Sequence, residues 1–282
     1  MGQFDFVSIE QIQGYWDTRP CNLRHSSAEI GSREYFDEVE ARKYRVEPHI
    51  PRLAEFERWK GKRVLEIGCG IGTDTVNFAR AGAAVTAVDL SEHSLDLTRQ
   101  RLAVYGLEAK LHLANVEELT ATVRPETYDL VYSFGVLHHT PHPQRAIDQL
   151  RQYMGPDSEL RIMLYHRLSW KALGIFLRHG RGKFWKFDEL VAVRSEAQTG
   201  CPVTYTYSTR SVRSLLAGFE IADIWVDHIF PYRVKDYVQY RYRRTWYFSL
   251  IPRPLFRWVE QHFGWHLCLS ARAVRARASG VE

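Results

Sequence analysis

Three glycines at alternate positions form a loop that suits a bound nucleoside. Gly68, Gly70 and Gly72 follow a short apolar run and precede a stretch with helical periodicity. Glycine adopts backbone angles that other residues avoid and lets a ligand lie against bare backbone, while the free amides of the following helix attract polar groups. Asp89 ends the next apolar run 17 residues after Gly72, where a carboxylate can accept both ribose hydroxyls. These residues predict a site for a nucleoside-containing cofactor.

The glycine spacing also discriminates among NAD, FAD and S-adenosylmethionine, which all contain adenosine. Dinucleotide-binding loops space their glycines as G-x-G-x-x-G to hold a pyrophosphate. The segment G-C-G-I-G departs from that spacing, and the acid Glu66 precedes it, which suits a cationic amino-acid tail better than a diphosphate. The sequence therefore favours S-adenosylmethionine and keeps NAD binding as an alternative.

The segments VLEIGCGIGTDT, VDLS, LANVEEL and YDLVYSFGVLHHTPHP resemble, in order and spacing, the motifs of class I S-adenosylmethionine-dependent methyltransferases. The resemblance is strongest to the branch typified by enzymes of ubiquinone and menaquinone biosynthesis, and it covers residues 62–166. It implies S-adenosylmethionine as methyl donor and S-adenosylhomocysteine as product. The residues matched to cofactor-binding motifs are Glu66, Gly68, Cys69, Gly70, Gly72, Thr73, Asp74, Asp89, Leu90, Asn115, Val116, Ser133, Phe134 and Gly135.

The resemblance also assigns parts of the cofactor to these residues. Glu66, Gly68 and Gly70 are implied at the methionine end, where backbone carbonyls of residues 133–135 are expected to face the amino group. Asp89 is implied at the ribose and Leu90 on the adenine. Thr73 and Asp74 open the helix after the loop, so capping that helix is an equal alternative for both.

The adenine end departs slightly from the family pattern. Asn115 stands where the family usually has an aspartate that accepts from the adenine amino group, and its amide oxygen is still an acceptor. The neighbouring Val116 amide is available to a ring nitrogen. The departure leaves the implied cofactor unchanged.

Methyl transfer from a sulfonium is an in-line displacement with a neutral leaving group, so alignment is essential and a base is optional. The acceptor is expected beyond the carboxyl ends of the strands, where His138, His139 and His166 are the candidate bases. For His138 and His139, a packing or helix-start role is the alternative. The segment HHTPH has no carboxylate at ligand spacing, so we expect no metal site there.

The stretch GYWDTRPCNLRHS near the amino terminus has no place in the expected sheet. Enzymes of this class often cover the cofactor with such a segment, so Tyr15 or Trp16 is a candidate for a cation–π contact with the sulfonium. Ordinary packing is an equally good interpretation. We expect this segment to form helices over the carboxyl edge of the sheet.

Hydrophobic periodicity supplies the elements that position these residues. The segments RVLEIG, AVTAVDL, LHLANV, YDLVYSFG and ELRIMLYH are predicted strands, and helices are predicted between them, including one over residues 143–155 closed by Gly155. A helix from Ser208 or Thr209 precedes the two further predicted strands EIADIWV and HLCLSARAV. Strands alternating with helices predict an α/β, Rossmann-like, seven-stranded and mostly parallel sheet with helices on both faces.

The same pattern suggests four regions. Residues 1–61 are expected to cover the site, and residues 62–166 to form the cofactor-binding core. Residues 167–207 are a predicted cap insertion. Residues 208–282 complete the sheet and contain a basic, aromatic insertion at 228–264.

Composition limits the class of protein and leaves several partners open. No apolar run of about 18 residues or secretory signal stands out, and the four cysteines lack metal or disulfide spacing, so a cytoplasmic protein is expected. Residues 1–160 carry a net charge of −6 and residues 161–282 a net charge of +11. We therefore expect a small anionic or aromatic acceptor. Methylation of RNA or lipid at an anionic surface and non-catalytic S-adenosylmethionine binding are alternatives; acceptor atom and oligomeric state stay open.

Overall fold

The computed structural model describes residues 4–195 and 200–274 and contains one seven-stranded sheet. The strands are β1 Arg63–Ile67, β2 Ala84–Asp89, β3 Lys110–Leu113, β4 Tyr128–Phe134, β5 Met154–Tyr165, β6 Phe219–Asp227 and β7 His266–Ala273. Their spatial order is β3-β2-β1-β4-β5-β7-β6. All neighbours are parallel except β7, which runs antiparallel to both β5 and β6. This sheet confirms the predicted fold class.

Twelve α-helices lie within the described residues. They are α1 Ile9–Thr18, α2 Arg33–Val46, α3 Ile50–Ala54, α4 Thr73–Arg80, α5 Glu92–Tyr105, α6 Pro143–Arg151, α7 Trp170–His179, α8 Phe187–Arg194, α9 Thr209–Leu215, α10 Val234–Tyr237, α11 Trp246–Leu250 and α12 Arg253–Phe263. The central strands are buried on both faces, as the apolar run of β1 shows. Helices on both faces explain why these strands read as continuous apolar segments rather than as alternating ones. None of the described helices is long and apolar enough to cross a bilayer.

Two predicted boundaries are wrong. Helix α6 ends at Arg151, and Gly155 lies inside β5 rather than at the end of the helix. The chain turns earlier because Tyr153 is fully buried and its hydroxyl donates to the carbonyl of Val123 at 2.6 Å. Gly155 instead permits a close approach, since a Cβ there would lie 2.8 Å from the side chain of Thr127.

The third strand is also shorter than predicted. It ends at Leu113, and Asn115 begins a 3-10 helix, Val116–Ala121, by accepting the backbone amide of Glu117 at 3.0 Å. Asparagine is favoured at such a cap because its side-chain oxygen satisfies an amide that has no partner within the helix. The helix cap at Asn115 therefore ends the strand, although the apolar pattern in the sequence continues beyond it.

The two stretches predicted as insertions are mostly helical. The first contains α7 and α8, and its residues 196–199 lie outside the described part of the chain. The second contains α10, α11 and α12. Its tyrosines pack on the amino-terminal segment: the Arg42 guanidinium lies 3.9 Å from the ring centre of Tyr237 and 4.4 Å from that of Tyr240.

Candidate cofactor and acceptor site

A cavity of about 220 Å³ opens at the carboxyl edge of the parallel strands, and α1 forms part of its wall. Most residues predicted to bind the cofactor line it. These are Gly68, Cys69, Gly70, Thr73, Asp89, Leu90, Asn115, Val116, Phe134 and Gly135. They come from separate parts of the chain and meet because parallel strands end at the same sheet edge, where open α/β folds bind their ligands.

The glycine loop between β1 and α4 needs glycine for two different reasons. Gly68 has a φ of +73°, and a Cβ there would lie 2.1 Å from the Val136 side chain. The position therefore has no room for any side chain. Gly70 has a φ of +55°, but no other part of the protein lies within 4 Å of its would-be Cβ. The open space beside Gly70 is the cavity, so a ligand can lie against its backbone.

Asp89 is tied to the loop through its carboxylate. Its Oδ2 accepts the backbone amide of Gly70 at 2.8 Å, and its Oδ1 accepts that of Ser91 at 2.9 Å. Burial raises the pKa of Asp89, and these backbone hydrogen bonds oppose that rise. Because each carboxylate oxygen has two lone pairs, Asp89 retains acceptors for a diol at the cavity wall.

Glu66 lies behind the loop rather than on the cavity wall. Its side chain is buried, and its Oε2 accepts the Thr75 hydroxyl at 2.6 Å. Burial, reinforced by the nearby Asp74 and Asp89 carboxylates, raises the pKa of Glu66 to about 8. A cation bound in front of the loop would favour the ionised form of Glu66. Its influence on a methionine end is therefore electrostatic through the loop.

Asp74 is a buried junction between the amino-terminal segment and the core. Its carboxylate accepts Lys43 Nζ at 2.9 Å, the Tyr44 hydroxyl at 2.9 Å and the Tyr132 hydroxyl at 3.0 Å. These contacts join α2 to α4 and β4, so Asp74 fixes the orientation of the cover rather than capping its own helix. Thr73 lines the cavity while its hydroxyl accepts Arg101 Nη1 at 2.7 Å.

Several predicted residues lie outside the described cavity lining. Glu66, Gly72 and Asp74 support the loop from behind, and the Ser133 hydroxyl donates to the Ile67 carbonyl at 3.3 Å. Tyr15 is also displaced: it packs edge-on against Trp16 at 4.9 Å, and Trp16 lines the cavity instead. Of the two candidates for a contact with the sulfonium, Trp16 lines the cavity, while the helical turn of α1 directs Tyr15 elsewhere.

The three predicted histidines have different environments. His139 lines the cavity, and its Nδ1 lies 2.8 Å from the Val203 carbonyl. His138 is fully buried with its ring centre 3.8 Å from that of Tyr165, and burial lowers its pKa well below 6.5. His166 is also outside the lining, with Nδ1 3.1 Å from the Gly264 carbonyl. Of the three predicted bases, only His139 lines the cavity, and the roles of all three as bases stay predictions.

The sequence-based prediction missed two charged residues and one histidine in the lining. Lys43 and Glu47 enter from the end of α2, and His266 begins β7. The spacing of Lys43 and Glu47, four residues apart on a predicted cover helix, was the available signal. His266 had none, because it reaches the cavity only when β7 inserts antiparallel beside β5 and aligns it with Tyr165.

The strand order, the antiparallel β7, the glycine loop and Asp89 together define the class I S-adenosylmethionine-dependent methyltransferase fold. Solved structures agree with that class. The chain is similar to a magnesium protoporphyrin IX methyltransferase from Synechocystis PCC 6803 with bound S-adenosylhomocysteine, at a TM-score of 0.58 and 17% identity. That comparison covers 94% of this chain and 100% of the other.

Residues 65–160 match the family described as Methyltransferase domain. A ubiquinone biosynthesis O-methyltransferase from Aromatoleum aromaticum is 38% identical over 100 residues, which are 36% of this chain and 42% of that relative. The chain thus aligns with less than half the length of that curated relative. Residues 65–160 are therefore similar to a methyltransferase domain, and the chain has the fold of the class I S-adenosylmethionine-dependent methyltransferases, whose cofactor is S-adenosylmethionine.

The fold also occurs in a protein that is named for a different activity. The [4+2]-cyclase SpnF is similar at a TM-score of 0.58 and 16% identity, over 94% of this chain and 96% of that one. Fold similarity therefore leaves the reaction of this chain to be argued from its own site.

Proposed function

We propose that this chain transfers the methyl group of S-adenosylmethionine to a small-molecule acceptor by in-line displacement. The observation that carries the proposal is the continuity of one cavity from the Gly70–Asp89 contact to a second wall formed by Lys43, Glu47 and His266. The first part suits a nucleoside and the second is polar and titratable. A donor and an acceptor bound in one enclosed cavity gain most of their rate from alignment.

The residues at the second wall favour an aromatic acceptor that carries an acidic group. Phe134 and Tyr165 supply aromatic surface, and the Lys43 ammonium, which is ion-paired with Asp74, lies at the same wall. The similarity to O-methyltransferases supports oxygen as the acceptor atom. His139 is the predicted base that remains at the cavity, and Glu47 and His266 join it as candidates for receiving the acceptor proton.

Calorimetric titration with S-adenosylhomocysteine tests the cofactor site. We expect binding by the native chain and a large loss of affinity in Asp89→Ala. Asp96→Ala is the matched control, because Asp96 is an exposed acid of α5 with a local Arg99 partner. Absence of binding at millimolar ligand, or equal affinity in both variants, would refute the proposed site. Detection of S-adenosylhomocysteine after incubation with S-adenosylmethionine and phenolic acceptors then separates an enzyme from a non-catalytic binder.

A second candidate, methylation of a lipid acceptor at an anionic membrane surface, is favoured by one observation. Apolar side chains of α7 and α11 are exposed, including Leu177 and Leu250 at 74% each, and the helices meet where the Trp170 and Phe248 rings lie 6.0 Å apart. Exposed apolar residues beside basic ones suit an anionic interface. Salt-sensitive cosedimentation with phosphatidylglycerol vesicles, lost in Leu177→Glu, would support this candidate.

RNA as acceptor receives less support. The tyrosines of the basic insertion would be needed to stack on bases, but Tyr237 and Tyr240 hold the Arg42 guanidinium, and Tyr242 holds that of Arg45 at 4.0 Å. These rings stabilise the contact between the insertion and α2. An increase of methyl incorporation with added RNA would revive that alternative.

A further inference from the structure

Three histidines from distant parts of the chain converge beside the proposed acceptor wall. His49 precedes α3, His228 follows β6, and His266 begins β7. The carboxyl end of β6 and the start of the antiparallel β7 lie at the same sheet edge, where Asp227 is paired with His266. His266 itself lines the cavity, so the cluster adjoins the space proposed for the acceptor.

The distances within this cluster suit one shared ion. One ring nitrogen from each histidine lies within 4.8 Å of the other two. The ring centres are 4.4 Å apart for His228 and His266, 4.9 Å for His49 and His266, and 5.5 Å for His49 and His228. Three imidazoles at metal–nitrogen distances of about 2.0–2.1 Å in tetrahedral geometry have ring centres about 5 Å apart. The observed separations bracket that value.

Protein hydrogen bonds leave the cluster incompletely satisfied. His49 Nε2 lies 2.8 Å from His266 Nδ1, so those two atoms share one hydrogen. The other nitrogen of His49, Nδ1, is buried and has no hydrogen-bond partner among the described residues. With the ring hydrogens on His49 Nδ1 and His266 Nε2, the two facing nitrogens, His49 Nε2 and His266 Nδ1, both present lone pairs to an ion.

The outer nitrogens have the partners that orient metal-binding imidazoles. The His228 ring bonds the backbone of Val46, and His266 Nε2 lies 3.8 Å from Glu47 Oε1. A ligating histidine typically directs its second nitrogen at a backbone carbonyl or a carboxylate, which fixes the ring and increases its basicity. His228 has such a hydrogen bond, and His266 Nε2 faces a carboxylate at an ion-pair distance.

We propose that His49, His228 and His266 bind a divalent transition-metal ion of the zinc type. Three neutral nitrogen ligands favour Zn²⁺ or Co²⁺ over Mg²⁺, which prefers oxygen. Binding requires His49 Nε2 and His266 Nδ1 to move apart from 2.8 Å to about 3.3 Å, a small adjustment for two side chains. Because His266 and Glu47 line the cavity, a fourth ligand to the ion can approach from the cavity side.

The ion would activate the acceptor for methyl transfer. This role rests on the proposed function. A hydroxyl or thiol acceptor bound at the fourth position loses its proton to solvent at a lower pH than it would when free. Its lone pair then forms the new bond to the methyl carbon as the carbon–sulfur bond breaks, and the sulfonium becomes a neutral thioether. The metal therefore selects acceptors with an ionisable oxygen or sulfur.

Titration of the chelator-treated full chain with Co²⁺ tests the site directly, since tetrahedral Co²⁺ absorbs visible light strongly. We expect one Co²⁺ per chain, displaced by Zn²⁺ and unaffected by Mg²⁺. His49→Gln, His228→Gln and His266→Gln should each weaken binding at least about tenfold. His262→Gln is the matched control, because His262 is exposed on α12 and should leave binding unchanged.

Two results would overturn the proposal: equal Co²⁺ affinity in the native chain and the three cluster variants, or displacement of Co²⁺ by Mg²⁺. Because a cluster variant can fail to fold, X-ray absorption of the Zn²⁺-loaded native chain supplies an independent measurement. We expect imidazole scattering with nitrogen at about 2.0–2.1 Å, and a spectrum without imidazole would refute the site. Retained S-adenosylhomocysteine binding and methyl transfer in metal-free protein would refute the metal role alone and leave the proposed function intact.

Discussion

The Asp89 carboxylate and the Gly70 backbone amide are joined by a hydrogen bond of 2.8 Å across the mouth of the cavity. This contact makes Asp89 both a support for the glycine loop and a polar part of the cavity wall. Both carboxylate oxygens of Asp89 are needed as acceptors, because the second one accepts the backbone amide of Ser91. One side chain therefore supports both the glycine loop and this part of the cavity wall.

Asp89→Asn tests this dual role. An asparagine keeps the shape but turns one acceptor into a donor, which faces either the Gly70 or the Ser91 amide. We expect S-adenosylhomocysteine affinity to fall by about 10- to 100-fold and the free energy of unfolding by about 1–3 kcal/mol. Calorimetry and denaturant unfolding measure the two effects. Loss of affinity with unchanged stability would contradict the support role.

A matched pair of glycine substitutions separates backbone strain from ligand contact. Gly70 and Gly106 have φ of +55° and +65°, and a Cβ at either would meet no protein atom within 4 Å. Both alanine variants should lose about 1 kcal/mol of stability, because alanine disfavours the left-handed region. Only Gly70 lines the cavity, so only Gly70→Ala should lose cofactor affinity, by at least about tenfold. Similar affinities for the two variants in calorimetry would place the ligand elsewhere.

The buried pair of Lys43 and Asp74 is expected to show strong coupling. The side chains are 11% and 3% exposed, with Nζ and Oδ1 2.9 Å apart. Removing one partner leaves a buried charge, so Lys43→Met or Asp74→Asn should each cost about 3–5 kcal/mol. The double variant should lose less than the sum, because neither charge is then left alone. Additive losses in denaturant unfolding would show that the pair does not couple.

Stability should fall in mildly acidic solution because of buried histidines. Burial lowers the pKa of His138 well below 6.5, so below about pH 6.5 the unfolded chain binds a proton that the folded chain does not. The stability that neutral His138 contributes to the folded chain is fully present above about pH 6.5. Below that pH, this one group lowers the free energy of unfolding by about 1.4 kcal/mol per pH unit. His138→Leu should reduce this slope between pH 6.5 and 5.

The control for that experiment is Leu137→Ala, since Leu137 is buried beside His138 and has no titratable group. We expect it to leave the slope unchanged in chelator-treated protein. Thermal or urea unfolding at each pH gives the slope directly, so the comparison does not depend on the absolute stability of either variant. An equal slope in native protein and His138→Leu would show that His138 titrates normally in the folded state.

The sequence by itself determined the sheet, the glycine loop and most of the cofactor wall. Those features depend on neighbouring residues: apolar runs define strands, and Gly68, Gly70 and Asp89 lie at fixed distances from strand ends. Parallel strands then bring these ends together at one edge. The predicted boundaries failed at Gly155 and Asn115, where a buried tyrosine and a helix cap outweighed the apolar pattern.

Only the tertiary structure decided which side chains face the acceptor. Spacing along the chain did not show that Trp16 lines the cavity while Tyr15 and His166 do not, because side-chain direction depends on how α1 and β5 pack. His49 and His266 approach within 2.8 Å although most of the chain separates them. Their contact requires α3 to pack on β5 and β7, a long-range arrangement that no local pattern records.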